Sequence, residues 1–212
     1  YLLAGVASGG DVTVTGIRPC DLSALTDVLV RTGCLVDSAP DRVRVRRGEN
    51  FRGVAVETAP APGFPTDLHP PTVAALCFAA GKSQMTERVW QERFRYTSEL
   101  AKMGAVFSRE GQTLTVHPAP LHAASVTATD LRGGAALAVA ALGTAGKTHM
   151  TGCELIERGY EDFTGKLRRL GADVSVLPVM PSCASGAGEE SAEERQEKDG
   201  GDAGAPHGDG EG

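Results

Sequence analysis

No C-x-x-C pair occurs among the five cysteines of this 212-residue chain; Cys20, Cys34, Cys77, Cys153 and Cys183 are scattered and odd in number. That pattern supports neither a disulfide framework nor a zinc site, and it points to reduced, mostly buried thiols in a cytoplasmic protein. Apolar runs are short as well. None approaches the roughly 18–20 residues needed to span a bilayer, so the sequence gives no membrane helix. An initiator Met and a basic leader are also missing: the chain opens on Tyr1-Leu-Leu-Ala-Gly, which reads as the interior of a longer protein.

A charge excess is absent from most of the chain. The formal net charge is -6, but from Glu189 onward nine acids face only Arg195 and Lys198, which leaves the remainder at +1. That balance makes no case for nucleic acid or an anionic membrane as a partner. The 41% apolar and 23% charged fractions are those of a globular domain with a substantial core.

What is present is a repeated order of elements. Tyr1–Ser8 reads as a helix end closing at Gly9-Gly10, and Asp11–Gly16 alternates apolar and polar like a strand. Asp21 is a natural N-cap for a helix whose inner face is Leu22, Leu25, Val28 and Leu29, stopped by Gly33. Val36 and Arg42–Arg46 then form a strand pair across the Pro40-Asp41 turn. The order recurs. A helix ends at Ala79–Gly81, Gln84–Val89 is a strand, Tyr96–Met103 is a helix stopped by Gly104, and Val106 pairs with Leu114–Val116 around Glu110-Gly111. It recurs again with a helix ending at Gly146, a strand at His149–Thr151, a helix striped by Phe163, Leu167 and Leu170 up to Gly171, and a strand at Val174 and Val176.

The glycines keep register: Gly10 to Gly33 and Gly81 to Gly104 are both 23 residues, and Gly146 to Gly171 is 25. The expected fold class is α/β, with three units of helix, strand, helix and two strands over about 1–60, 61–124 and 125–177. Residues 178–212 hold Gly, Ala, Ser and acid with almost no large apolar residue, the composition of a disordered acidic tail.

Two helices open on the same dipeptide, Thr66-Asp67-Leu68 and Thr129-Asp130-Leu131. Thr66 or Asp67 can cap the small-residue helix over Val73–Ala80, and a lone Thr-Asp at such a place is usually only a cap. Three arginines raise the interest of the pair: Arg93, Arg132 and Arg158 stand where repeat strands end or repeat helices begin. Equivalent positions of a repeat fold meet at one end of the domain. Arginines and acids there would hold an anionic substrate and leave a carboxylate to move a proton.

The motifs Phe64-Pro65-Thr66-Asp67, Glu92-Arg93-Phe94, Ala128-Thr129-Asp130-Leu131-Arg132 and Glu157-Arg158-Gly159-Tyr160-Glu161 resemble the UDP-N-acetylglucosamine enolpyruvyl transferase family of the EPSP synthase superfamily. The likeness covers roughly residues 1–177, one half of a two-domain enzyme. It implies an inside-out α/β barrel and transfer of the enolpyruvyl group of phosphoenolpyruvate to the 3′-hydroxyl of UDP-N-acetylglucosamine, the first committed step of peptidoglycan synthesis, in the cytoplasm and without a cofactor or metal. By position, Asp67 matches the acid at the sugar hydroxyl and the family's proposed general base. Arg93, Arg132 and Arg158 match the arginines around phosphoenolpyruvate, Asp130 the carboxylate beside them, and Val89 the residue that touches the nucleotide sugar.

The sequence also departs from the family. His69-Pro70-Pro71 replaces Gln-Ala-Gln behind the acid, Glu157 replaces an Asp, and His69 is expected at an exposed helix edge. The other domain, with its Lys-Asn pair and loop Cys, is expected in a missing N-terminal part, and this chain alone is expected to be inactive. A non-catalytic paralogue or truncated binding module of the same fold is the alternative reading.

Overall fold

The computed structural model describes residues 1–177; the acidic stretch expected to be a disordered tail lies outside them. The first element is helix α1 (Leu2–Ser8), buried along nearly its whole length and closed by Gly9 at φ 73°. Gly9, rather than Gly10, takes the left-handed position that ends the helix. Strand β1 (Asp11–Thr15) follows, then a 3-10 turn over Pro19–Leu22 and helix α2 (Ser23–Arg31). Asp21 does not cap α2: its carboxylate takes the Arg18 guanidinium at 3.0 and 3.1 Å instead, and the 3-10 turn carries the chain into the helix. Strands β2 (Leu35–Ala39) and β3 (Arg42–Arg46) complete an antiparallel sheet of order β1-β3-β2. In β3 the period of two is complete, with Val43 and Val45 fully buried between exposed arginines.

The second stretch begins with β4 (Ala55–Glu57), a strand of three residues too short for any periodic signal, which the sequence reading lacked. A 3-10 turn (Thr66–Leu68) leads into helix α3 (His69–Leu76), every residue of which is buried. The helix stops before Ala79–Gly81. The chain is drawn off into a bridge there, with the Ala80 N–H on the Phe51 carbonyl and the Gly53 N–H on the Ala80 carbonyl, both at 2.8 Å. Strand β5 (Ser83–Thr86) is shorter than expected because Glu87 turns the chain. Helix α4 (Tyr96–Lys102) buries Tyr96 and Leu100, and Met103 just behind it is fully buried. Strands β6 (Val106–Glu110) and β7 (Thr113–His117) form the expected hairpin, and the sheet runs β4-β5-β7-β6 with only β4 and β5 parallel.

The third stretch has β8 (Ser125–Thr127), also missed for its shortness, parallel to β9 (His149–Thr151). Between them lies helix α5 (Leu131–Leu142), which ends at Gly143, short of Gly146. Helices α6 (Glu154–Glu157) and α7 (Phe163–Arg169) follow. Leu167 is buried, but Leu170 is 48% exposed, since the helix has ended before it. Val174 and Val176 form no strand, so this sheet has two strands among the described residues.

Helices α1, α3 and α5 pack against one another at the centre, and α1 and α3 also meet strands of their own sheets. Behind the polar residues of their first turns (His69 and Thr72, Arg132), α3 and α5 are buried and apolar all round over Val73–Leu76 and Gly133–Ala140, as their position requires. Small residues let these helices approach. At Gly143 an added Cβ would sit 2.5 Å from Phe78 and 2.7 Å from the Ala7 carbonyl. No helix among the described residues is long and apolar enough to cross a membrane.

Candidate functional site

The turn before α3 presents Asp67. Neither Thr66 nor Asp67 caps that helix, contrary to the sequence reading. The physical reason lies in the first turn of the helix: Pro70 and Pro71 have no N–H, so part of that turn has nothing to satisfy. The Asp67 carboxylate is thereby released to point elsewhere. One oxygen, Oδ1, accepts from Arg93 Nη2 at 3.1 Å, and the other, Oδ2, from Arg132 Nη2 at 2.7 Å. Asp67 is 51% exposed, while the side chains of Arg93 and Arg132 are 6% and 28% exposed. The Arg132 hydrogen bond, against a smaller upward push from burial, holds the Asp67 carboxyl below its usual range, so it is ionised.

Arg93 lies in a 3-10 turn and is locked from three sides. Its Nε donates to Thr66 Oγ1 at 3.2 Å, and its guanidinium sits 4.1 Å from the centroid of the Trp90 ring, a cation–π contact. Arg132 stands in the first turn of α5 and also donates to Tyr160 Oη at 3.4 Å. Asp130 has the cap role that Asp67 lacks. Its Oδ1 accepts the N–H groups of Arg132 at 2.9 Å and Gly133 at 2.8 Å. The two Thr-Asp dipeptides are therefore alike in sequence and different in use.

The structure brings Asp67, Arg93 and Arg132 together from segments far apart in the chain. Asp130 adjoins them through the backbone of Arg132. Arg158, exposed behind α6, makes no side-chain hydrogen bond or ion pair among the described residues, and Tyr160 reaches Arg132 instead. Val89 is 47% exposed beside Trp90, on the loop after β5.

Two residues of the cluster escaped sequence reasoning. His69 is fully buried rather than at an exposed edge. Its Nδ1 lies 2.7 Å from Glu87 Oε2, and the rings of Phe94 and Tyr96 stand edge-on at 5.1 and 5.7 Å. Burial depresses its pKa and outweighs the opposing hydrogen bond to Glu87, so His69 is neutral. A carboxylate can only accept, which puts the ring hydrogen on Nδ1. Glu87 is 1% exposed, with Thr58, Thr66 and His69 side chains and two backbone N–H groups on its oxygens. Burial pushes its carboxyl up, but these donors, His69 and Thr58 foremost, prevail and hold it well below the carboxylate range. The signal was there to read. Glu87, one residue past β5, continues the inward parity of Ser83 and Met85, and an acid at that parity needs partners.

Two guanidinium groups converging on one half-exposed carboxylate make a site that a carboxylate or phosphate can enter by replacing Asp67. No group of three His, Cys, Asp or Glu able to hold a metal occurs among the described residues. Cys34 and Cys77 are buried free thiols, Cys153 is half-buried and Cys20 is exposed. A concavity of about 710 Å³ lies elsewhere, between Arg47–Phe51, Cys77–Ala80 and Pro118–Leu121, with none of the converging charges.

Residues 1–167 match the family model of EPSP synthase (3-phosphoshikimate 1-carboxyvinyltransferase). The chain is 41% identical over 175 residues to the UDP-N-acetylglucosamine 1-carboxyvinyltransferase of Clostridium botulinum, covering 82% of this chain and 42% of that protein. It is 42% identical over 174 residues to the protein of that name from Thermus thermophilus, covering 82% and 41%. Among solved structures it is similar to the enolpyruvyl transferase NikO from Streptomyces tendae, with a TM-score of 0.73 and 29% identity over 81% of this chain and 42% of that one. An EPSP synthase from Acinetobacter baumannii, at 18% identity and a TM-score of 0.60 over 79% of this chain and 43% of that one, shares the fold. The chain thus spans about two-fifths of the length of the curated relatives it matches.

Proposed function

This chain belongs to the EPSP synthase family, and from that membership and its likeness to UDP-N-acetylglucosamine 1-carboxyvinyltransferases we propose that the complete protein moves the enolpyruvyl group of phosphoenolpyruvate to the 3′-hydroxyl of UDP-N-acetylglucosamine. The setting is peptidoglycan synthesis in the cytoplasm. This chain supplies one domain, residues 1–177, whose three stretches are units of an inside-out α/β barrel, and the other domain supplies the remaining groups. The observation that carries the reading is the Asp67 carboxylate held between Arg93 and Arg132.

The chemistry follows from that geometry. Phosphoenolpyruvate offers a carboxylate and a phosphate, both suited to guanidinium forks. As it takes Arg132 and Arg93, the hydrogen bonds that hold Asp67 ionised weaken and its basicity rises. Asp67 then accepts the 3′-hydroxyl proton while that oxygen bonds to C2 of phosphoenolpyruvate. An acid of the other domain protonates C3, giving a tetrahedral adduct. The same group of the other domain, now a base, takes a proton back from the C3 methyl while the bond from C2 to the phosphate oxygen breaks, which leaves the enolpyruvyl ether and releases phosphate. The arginines offset the anionic charge throughout. Arg158 completes the anion site once the other domain is in place, and Val89 borders the sugar.

In the complete protein, Arg132→Ala should lower kcat/KM for phosphoenolpyruvate by about 10²–10³, the usual cost of removing one such electrostatic contact. Arg158→Ala should lower it in the same direction. An unchanged specificity constant in Arg132→Ala rejects the assignment. This chain alone should release no phosphate from the two substrates, and turnover by it would refute the need for the second domain.

A further inference from the structure

Glu87 makes no contact with Asp67 or Arg93, yet the segments that present Asp67, Val89 and the Arg93 platform are all tied to it. Its Oε1 accepts from Thr58 Oγ1 at 2.6 Å and from the backbone N–H groups of Val89 at 2.8 Å and Trp90 at 3.0 Å. Its Oε2 accepts from Thr66 Oγ1 at 2.9 Å and from His69 Nδ1 at 2.7 Å. Five donors thus meet one carboxylate that is 1% exposed. Only a carboxylate can do this. Two oxygens offer about four lone-pair positions, one of which is shared, whereas an amide offers a single accepting oxygen.

The donors come from three places: Thr58 just past β4, Thr66 and His69 around the start of α3, and the loop that leaves β5. Their neighbours form the part of the site that lies outside α5 and α6. Asp67 is flanked by Thr66 and tied two residues on at His69. Val89 and Trp90 are held by their own N–H groups, and Trp90 is the platform on which the Arg93 guanidinium lies. Thr66 is also a relay, since the hydroxyl that donates to Glu87 accepts from Arg93 Nε at 3.2 Å. Thr58 does the same with the Arg88 N–H at 2.8 Å.

We propose that Glu87 is the positioning residue of this site: one buried carboxylate, through Thr66, Val89 and Trp90, sets where Asp67 and Arg93 stand relative to each other and to the nucleotide sugar. The proposal rests on the transferase reading for its catalytic consequence, but the tethering itself can be judged without turnover. A carboxylate in this role contributes through preorganisation, since a misplacement of about 1 Å at reacting groups can cost on the order of 10²-fold in rate.

The test uses the complete protein and three variants. Glu87→Gln keeps size and shape but removes one accepting atom and the charge. Thr66→Val removes only the relay hydroxyl. Val116→Ala lowers stability from β7, whose Val116 pairs with Ser83, without touching the hub. Hydrogen exchange followed by mass spectrometry should show at least tenfold faster exchange in Glu87→Gln over residues 64–69 and 88–95, with β1 to β3 unchanged. In the same variant kcat/KM should fall at least thirtyfold, with both kcat and the KM for the nucleotide sugar affected. Thr66→Val should lower kcat while leaving exchange at 88–90 as in the parent. Val116→Ala should keep kcat/KM within threefold at a temperature where it is folded. Unchanged local exchange in Glu87→Gln, or an equal loss of activity in Val116→Ala, overturns the proposal. If the parent protein turns over neither substrate, the transferase reading fails, and the exchange result alone decides the positioning role.

Discussion

Asp67→Ala removes the acceptor from two guanidinium groups at once, and the structure sets how much that should matter. Breaking a fully buried ion pair costs about 3–5 kcal/mol because the surviving charge is left without a partner. Arg93 approaches that case, with a side chain 6% exposed. Two facts reduce the cost: Asp67 itself is 51% exposed, and Arg93 keeps Thr66 and the Trp90 ring. Arg132 is partly open and keeps Tyr160. The expected loss is therefore about 1–2 kcal/mol after screening. For a chain of this size that lowers Tm by about 2–8 °C. Asp67→Asn, which keeps one carbonyl acceptor, should fall between the variant and the parent.

The same experiment reports on the anion site. With Asp67 gone, inorganic phosphate no longer competes with an internal carboxylate, so titrated phosphate should raise Tm more in Asp67→Ala than in the parent. The pH dependence has a definite sign. The folded pKa of Asp67 lies below its ordinary 3.8, so its contribution is present above that value and is lost as pH falls through the folded value. The gap between parent and variant should be constant near neutrality and close in acid. Scanning calorimetry of this chain measures all three effects. An equal Tm for parent and Asp67→Ala at neutral pH, or an equal response to phosphate, refutes the reasoning.

Stability should also fall on mild acidification through His69. Its folded pKa is depressed by burial below the ordinary 6.5, so just below pH 6.5 the unfolded chain takes up a proton that the native chain does not. The parent should lose stability as pH drops through that window, and Glu87, whose folded pKa is also lowered, should extend the loss below 4.5. His69→Gln should remove the first part of the slope, as read by urea unfolding on either side of pH 6.5; an unaltered slope assigns the titration elsewhere. In α5, Gly134→Val should lower the urea midpoint by overpacking worth about 1–3 kcal/mol. Its Cβ would lie 2.7 Å from Ile156 Cγ1 and 3.0 Å from Ala128 Cβ, and an unchanged midpoint would show that α6 yields.

Much of the fold is legible in local patterns. The Arg-Val-Arg-Val-Arg strand, the hairpin at Glu110-Gly111 and the helix bearing Leu25, Val28 and Leu29 follow from period and turn chemistry. Those features depend on neighbours in the chain, and so do the motifs that mark the family. The short parallel strands β4 and β8 were not legible, because three residues carry no period and their partners are 29 and 24 residues away. Asp21, Asp67 and Asp130 show the same limit at single residues. Each precedes or begins a helical turn, but only Asp130 caps one, because Asp21 has a guanidinium three residues away and Asp67 has two brought from other turns. Sequence by itself determined which residue types could serve and which face of each element turns inward. Tertiary structure decided which donor each acceptor meets, because a buried acid such as Glu87 takes its partners from whatever segments the packed helices bring within about 3 Å.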